Sequence, residues 1–458
     1  MPNTDHRINR RDFLRGLGIS IISGGVLANT ILTGCKANPT TTEPGSDAFA
    51  SIGTDELAER LTDSGWVVLD TRPKASFNGW KLFGEVRGGH IEGALSFPVA
   101  WTLNAADGDL RQKIEAQGIT SDKKIVIYHP NAAERKLVAA RLETLGYANL
   151  YLYNDFLTWA ADNDLPVKAL PNYHKLVHAG WVNDLVTGKG PATYQGNEYV
   201  ILEVSWGPPD DYEKGHIPGA LHLDTDEIES LPVWKFRSDE QLTAVWKELG
   251  ITSDTLVVVY STDASPAARA LIALMRAGVK DVRLLDGGWS AWLAGGYQAE
   301  TATNQRVPVS DFGAAIPVHP EYILDIGQVK ALSQQPDFEL VAIRRWEEFI
   351  GEISGYSYIK PKGSIPGSVW GHNNRDLRDQ DGKMLDFNRI SELWQEWGIT
   401  PDKKVAFYCG TGWRASEAWF YAHLMGWSDV ALYDSGWMDW SIDPANPIQV
   451  GDPRTNGS

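Results

Sequence analysis

One pattern is written three times along the chain, and no other feature restricts the fold as much. GITSDKKIVIYHPNAAERKLVAARLETLGYANLYLYNDFLTW begins at Gly118, GITSDTLVVVYSTDASPAARALIALMRAGVKDVRLLDGGWSAW at Gly250, and GITPDKKVAFYCGTGWRASEAWFYAHLMGWSDVALYDSGWMDW at Gly398. Gly118 and His129, Gly250 and Ser261, and Gly398 and Cys409 each lie 11 positions apart; each of those loop residues lies 17 before a glycine, Gly146, Gly278 or Gly426. Such regularity means one supersecondary unit used repeatedly. Each copy reads as a short β-rich run (IVIY, LVVVY, VAFY), a loop, and a helix with small and apolar residues at helical spacing. In the third copy these are Ala415, Ala418, Trp419, Ala422 and Met425. A glycine ends the helix and a second short strand follows (LYLY, VRLL, VALY). Strand, helix, strand is a βαβ unit, and βαβ units build parallel sheets. The expected fold class is therefore α/β, in three tandem domains whose parallel sheets are flanked by helices.

A second shared piece lies upstream of each copy. It reads VVLDTRPKASF then GGHIEGALSFP in the first, VILEVSWGPPDDYEKGHIPGALHLD in the second, and ELVAIRRWEEF then KGSIPGSVWG in the third. With these included, the domains are expected at 51–168, 172–300 and 312–450, with linkers near Pro166–Thr187 and Ala302–Pro317. A hydrophobic content of 43% supplies apolar residues for three cores. The net charge of −17 argues against a nucleic-acid partner. The tryptophans recur at repeat positions (Trp159, Trp292, Trp440), which indicates packing and not carbohydrate stacking.

Residues 1–34 read as a targeting segment. Arg10-Arg11-Asp12-Phe13-Leu14 resembles the twin-arginine export motif, and Leu32-Thr33-Gly34-Cys35 resembles the bacterial lipobox, which implies lipidation of Cys35. Residues 35–50, rich in Pro and Thr, suit a flexible tether. The expectation is an exported protein on the periplasmic side, held at a membrane surface through Cys35.

The chain has two cysteines, at 35 and 409, so no disulfide framework exists. Cys409 follows a strand and precedes a helix, where backbone N–H groups and the helix dipole favour an anion. Gly410 and Gly412 let the backbone curl around one centre, Thr411 adds a hydroxyl, Trp413 packs under the loop or walls its mouth, and Arg414 adds a permanent cation. Together these form a cradle for a sulfur anion. Repeat one has His129, Pro130 and Glu134 at the corresponding places, and repeat two has Ser261, Asp263 and Pro266. Proline removes an N–H and the carboxylates repel an anion, so both loops read as scaffold or as walls shaping access to Cys409. His90 and His216, in the Gly-His-Ile elements, read as structural histidines.

The Asp-x-Arg, the Gly-His-Ile-x-Gly-Ala and the cysteine loop between strand and helix resemble rhodanese-type sulfurtransferases, in particular the exported three-repeat bacterial forms with the active cysteine in the last repeat. The resemblance implies three rhodanese-like domains, two inactive. It also implies transfer of a sulfane sulfur from a donor such as thiosulfate or 3-mercaptopyruvate through a Cys409 persulfide, to a thiol, a cyanide-like acceptor or a sulfur-acceptor protein. No metal or organic cofactor is implied. Two positions depart from the family pattern: Ala342-Ile343-Arg344 replaces Asp-x-Arg, and Ser364 stands where many repeats have His. Arg344 is a supporting candidate, either bracing the loop or binding substrate, and the segment with Tyr356, Tyr358, Lys360 and Lys362 is a candidate wall. Cysteine phosphatases place Arg six positions after Cys; here the spacing is five, a tighter mouth that suits sulfur more than phosphate. A different class stays open, a lipoprotein of this fold that binds sulfur or another chalcogen, or docks a partner, without turnover.

Overall fold

The computed structural model describes residues 49–455. The expected signal segment, Cys35 and the tether up to residue 48 lie outside the described residues. Each repeat forms a five-stranded sheet with all neighbours parallel, and the strand order is the same three times. In repeat one it runs Ala50–Ile52, Leu150–Tyr153, Lys124–Tyr128, Trp66–Asp70, Leu95–Ser96. In repeat two it runs Leu176–Val177, Asp281–Leu285, Leu256–Tyr260, Tyr199–Ser205, Leu221–Asp224. In repeat three it runs Ile323–Leu324, Val430–Tyr433, Lys404–Tyr408, Phe338–Ala342, Val369–Trp370. The central strand is always the run that precedes the loop. His129, Ser261 and Cys409 therefore all sit at carboxyl ends of central strands, where open α/β sheets place ligands.

Two further devices recur with the repeat. The central strands end in Tyr128, Tyr260 and Tyr408, whose buried hydroxyls accept the backbone N–H of Ile91, Ile217 and Ile365 at 3.2, 3.0 and 3.3 Å. Trp159, Trp292 and Trp440 are buried and donate their indole N–H to the carbonyls of Pro166, Gln298 and Pro447. The helices end where the sequence places glycine: Gly146, Gly278 and Gly426 have φ of +93°, +102° and +82°, a conformation that costs a Cβ-bearing residue.

The stretch Pro166–Thr187 is not a linker. Val167–Lys168 pairs antiparallel with His90–Ile91, Leu176–Val177 is an edge strand of repeat two, and Ala179–Val186 is a helix. Short apolar pairs such as Leu176–Val177 carry too little periodicity to be read as strands without their neighbours. Ala302–Pro317 has neither helix nor strand, yet Phe312 is buried and Arg306 is paired with Glu227.

Repeats two and three share one hydrophobic core, which also takes in Phe77 and Leu170 of repeat one. Its centre is the packing of helix Ala264–Ala277 on helix Trp413–Leu424. Both helices are buried nearly all round, as expected for helices that lie between two sheets. Residues 371–388 of repeat three then tie all three repeats together. Asp381 accepts the Trp101 indole N–H at 2.7 Å, Asp379 lies 3.9 Å from Lys74, Arg378 pairs with Asp263 at 2.9 Å, and the Met384 N–H donates to Asp286 at 2.9 Å.

Burial at this junction pushes the Asp286 carboxyl up to about 6, outweighing the attraction of Lys383. In the window between the ordinary aspartate value near ~4 and 6, the folded chain holds a proton there that the unfolded chain has lost. The Asp286 contribution to stability is therefore full below that window and lost as pH rises through about 6. Asp286→Asn keeps the acceptor for Met384 and removes the charge. It is expected to unfold at a higher temperature than wild type at pH 8 and to match it at pH 4; equal melting at both values would contradict this.

Candidate active site

The loop after strand Lys404–Tyr408 is built from the outside in. Ser435 and Gly436 take positive φ, +62° and +39°, and open a short helix Gly436–Ser441 directly behind the loop. Its first N–H groups hold the loop carbonyls: Trp437 donates to Cys409 O at 2.8 Å and Met438 to Gly410 O at 2.9 Å. With its carbonyls drawn backward, the loop turns N–H groups the other way. Gly412, at φ +115°, is the N-cap of helix Trp413–Leu424 and donates its N–H to Cys409 Sγ at 3.2 Å. The sulfur therefore sits against the positive end of a helix. Cys409 is 1% exposed, so access to it runs through the cavity described below.

The remaining loop candidates are brought together, with altered roles. The Gly410 N–H does not face the sulfur; it donates to the Tyr356 hydroxyl at 3.0 Å. A Cβ on Gly410 would lie 2.1 Å from the Tyr356 ring, which is why glycine stands there. Thr411 is buried and lines the cavity. Trp413 both lines the cavity and donates its indole N–H to Glu229 of repeat two at 2.8 Å. The Arg414 guanidinium does not close over the sulfur as a lone cation. It pairs with Glu348 at 2.8 Å, donates to Asn373 at 3.2 Å and bonds the Tyr356 hydroxyl. The reason is electrostatic: Glu348 is 1% exposed and needs a partner. Burial works against ionisation of Glu348, and Arg414 more than offsets this, so the carboxyl is held below the usual range. Burial raises the Tyr356 phenol, with Arg414 opposing, so Tyr356 keeps its proton at neutral pH.

Arg344 is fully buried and donates to the carbonyls of Gly363 and Ser354, with its guanidinium 5.0 Å from the centre of the Trp437 ring. It touches the segment that carries Tyr356 and is not among the residues lining the cavity. Its counterpart Arg72 in repeat one pairs with Asp70 and Glu85; Ala342 removes the first of these, and among the described residues Arg344 Nε has no hydrogen-bond partner. Lys360 and Lys362 turn to backbone carbonyls of Ser357 and Glu352. His90 and His216 are buried, stack on Phe77 and Tyr212, and bond those residues' carbonyls through Nδ1.

A cavity of about 1050 Å³ opens between repeats two and three with Cys409 in its lining. Repeat three contributes Tyr356, Tyr358, Arg345 and Arg375 beside the loop. Repeat two contributes Trp206, the loop residues Ser261 to Asp263, and a run of carboxylates that includes Asp210, Asp211, Asp224 and Asp226. The corresponding loop of repeat two is thus one wall of the site. It cannot imitate its neighbour: the Asp263 carboxylate caps helix Ala264–Ala277 through the Ser265 N–H and pairs with Arg378. In repeat one, His129 lies 3.0 Å from Glu134.

Three parallel sheets of one strand order, with a thiol at the carboxyl end of one central strand, agree with a rhodanese-type fold. The rhodanese-like domain family model matches residues 53–162, 191–295 and 325–443, and the chain belongs to this family. It is a sulfurtransferase of the rhodanese type. The chain is 40% identical over 423 residues to thiosulfate sulfurtransferase YnjE of Escherichia coli strain K12, covering 90% of this chain and 96% of that protein. It is also similar to the anaerobic ergothioneine biosynthesis enzyme from Chlorobium limicola in complex with its natural substrate trimethyl histidine. The identity there is 36%, the TM-score 0.86, and the coverage 89% of this chain and 100% of that one. A structure of EanB holding a cysteine persulfide in a tetrahedral intermediate state with ergothioneine matches at 36% identity and TM-score 0.85, over 88% of this chain and 100% of that one.

Proposed function

We propose that Cys409 is the sulfur-carrying nucleophile. Its thiolate attacks the outer sulfur of thiosulfate or the thiol sulfur of 3-mercaptopyruvate; a new S–S bond forms, and sulfite leaves with the electron pair of the broken S–S bond, or the enolate of pyruvate with that of the broken C–S bond. An acceptor, a thiol, a cyanide-like molecule or a sulfur-acceptor protein, then attacks the outer sulfur and the Cys409 thiolate leaves. The observation that carries this reading is the Gly412 N–H on Sγ, in a loop whose carbonyls are tied behind it and whose mouth is a cavity. Incubation with each donor is expected to add one sulfur atom to the intact mass of the wild-type chain. If neither donor adds it, the reading fails. A carrier without turnover, the alternative reading, predicts the added sulfur with no acceptor consumption.

The cavity favours a further acceptor class. Its volume of about 1050 Å³ exceeds what cyanide or a simple thiol occupies, and it sets Trp206, Tyr356 and Tyr358 beside the carboxylates of repeat two. Aromatic faces and carboxylates together suit a cation, so an amine or quaternary ammonium compound such as trimethyl histidine belongs in the acceptor panel.

The same proposal places the protein on the periplasmic side, anchored by acyl chains on Cys35. Among the described residues no helix is long and apolar enough to cross a membrane. The anchoring rests on the motifs at Arg10-Arg11 and Cys35. Labelled fatty acid is expected in the wild type and not in Cys35→Ala; equal labelling would remove this part of the proposal.

A further inference from the structure

Resting on the reading of Cys409 as nucleophile, we propose that Arg269 of repeat two is a positioning residue for sulfur transfer in repeat three. Arg269 lies on helix Ala264–Ala277 and is fully buried. Its guanidinium reaches the back of the Cys409 loop: a Cβ on Gly412 would meet Arg269 Nη1 at 2.6 Å and Cζ at 3.0 Å. Among the described residues Nη1 has no hydrogen-bond partner. A fully buried guanidinium N–H without one is costly, and such groups in native folds call for an explanation.

The rest of the guanidinium explains what the residue grips. Nε donates to Glu229 at 3.2 Å, and Glu229 in turn accepts the Trp413 indole N–H at 2.8 Å. Nη2 donates to Asp434 at 2.6 Å and to Trp234 O at 3.0 Å. Asp434 immediately precedes Ser435 and the short helix whose N–H groups hold the carbonyls of Cys409 and Gly410. The group also lies over the Phe236 ring, 3.5 Å from its centre, so it has little freedom to move. One planar fork therefore fixes the start of helix Trp413–Leu424 through Glu229 and the carbonyl-holding helix through Asp434, and it fills the space that a side chain on Gly412 would need. Lysine lacks that fork.

The repeat itself supports a functional role. Arg269 lies eight positions after Ser261, and Glu417 eight after Cys409. Each is a fully buried charge, and each reaches across to the opposite repeat. Glu417 accepts from Ser265 at the start of the repeat-two helix, at 2.9 Å. Arg269 faces Gly412 at the start of the repeat-three helix. The cation goes to the loop with the thiol and the anion to the loop without one. Repeat one has Leu137 at this position, and its side chain is exposed.

The test uses Arg269→Met and Arg269→Lys in the full chain. Loss of positioning is expected to lower kcat of Arg269→Met about tenfold or more, with KM for the donor changed less than about threefold. Alkylation of Cys409 by iodoacetamide is expected to slow in parallel, and Arg269→Lys to fall between the two. Folded Arg269→Met with wild-type kcat overturns the inference. Where the Met variant does not fold, Arg269→Lys decides: a reduced kcat at unchanged KM supports the role and a wild-type kcat overturns it. If wild type itself gains no sulfur, the reading of Cys409 fails first; if wild type and Arg269→Met gain it at equal rates, only the present inference fails.

Discussion

Cys409→Ser is expected to gain no sulfur from any donor and to turn over at less than about one-thousandth of the wild-type rate. The substitution is close to isosteric and leaves the Gly412 N–H an acceptor, so the loop should keep its shape. What is lost is the nucleophile. A serine hydroxyl needs a base to ionise at neutral pH, and among the described residues no histidine lines the cavity. Glu348 is committed to Arg414, and Tyr356 is held in its protonated form by burial. A hydroxyl also cannot hold a terminal sulfur as a stable persulfide does. Melting temperature is expected to stay within a few degrees of wild type, since neither hydrogen bonding nor volume changes much. Steady-state turnover and intact mass should be measured on the same preparation. Sulfur uptake by Cys409→Ser equal to wild type would end the case for Cys409. Loss of turnover together with a large fall in melting temperature would point to the thiol as a packing group.

The parallel sheets and the position of the loop after a buried strand were legible because they depend on local register. Strand, loop and helix recur with fixed spacing, so one reading of VAFYCGTGWR served for YHPNAAER and YSTDASPA as well. Partner choice across the sequence was not legible. Arg414 reads as a cation for the sulfur; that it also pairs with a buried Glu348 66 positions away is not visible in the loop. Glu229 and Trp413 are separated by 184 positions, and no periodicity connects them. The same holds for Pro166–Thr187, where Leu176–Val177 becomes a strand only because Leu284 and Leu285 offer it an edge. One signal was present and unused. A lone arginine inside AARALIALM, at the position of Glu417 in the third copy, marks a charge on a buried face. Such a charge needs a partner from elsewhere in the chain.

Gly412→Ala is expected to lower kcat about a hundredfold, because two independent constraints meet at that residue. At φ +115° the backbone lies where side chains impose strain of about 1–3 kcal/mol. The added methyl would also meet Arg269 Nη1 at 2.6 Å, and that guanidinium is held by Glu229, Asp434 and the Trp234 carbonyl. Relief can come in two ways. The backbone can rotate, which withdraws the Gly412 N–H from Sγ and turns the helix start away from the sulfur. Alternatively Arg269 can be displaced, which leaves Glu229 and Asp434 with an uncompensated charge in the interface. Both routes loosen the cradle. Gly398→Ala is the control: its φ is +70°, but a Cβ there would come no closer than 3.8 Å to the end of Lys403, in a turn before the central strand. It should lose about 1–2 kcal/mol of stability and keep its kcat. Wild-type kcat in folded Gly412→Ala would mean that sulfur transfer does not depend on the shape of this loop. A comparable fall in kcat for Gly398→Ala would mean that stability alone explains the loss.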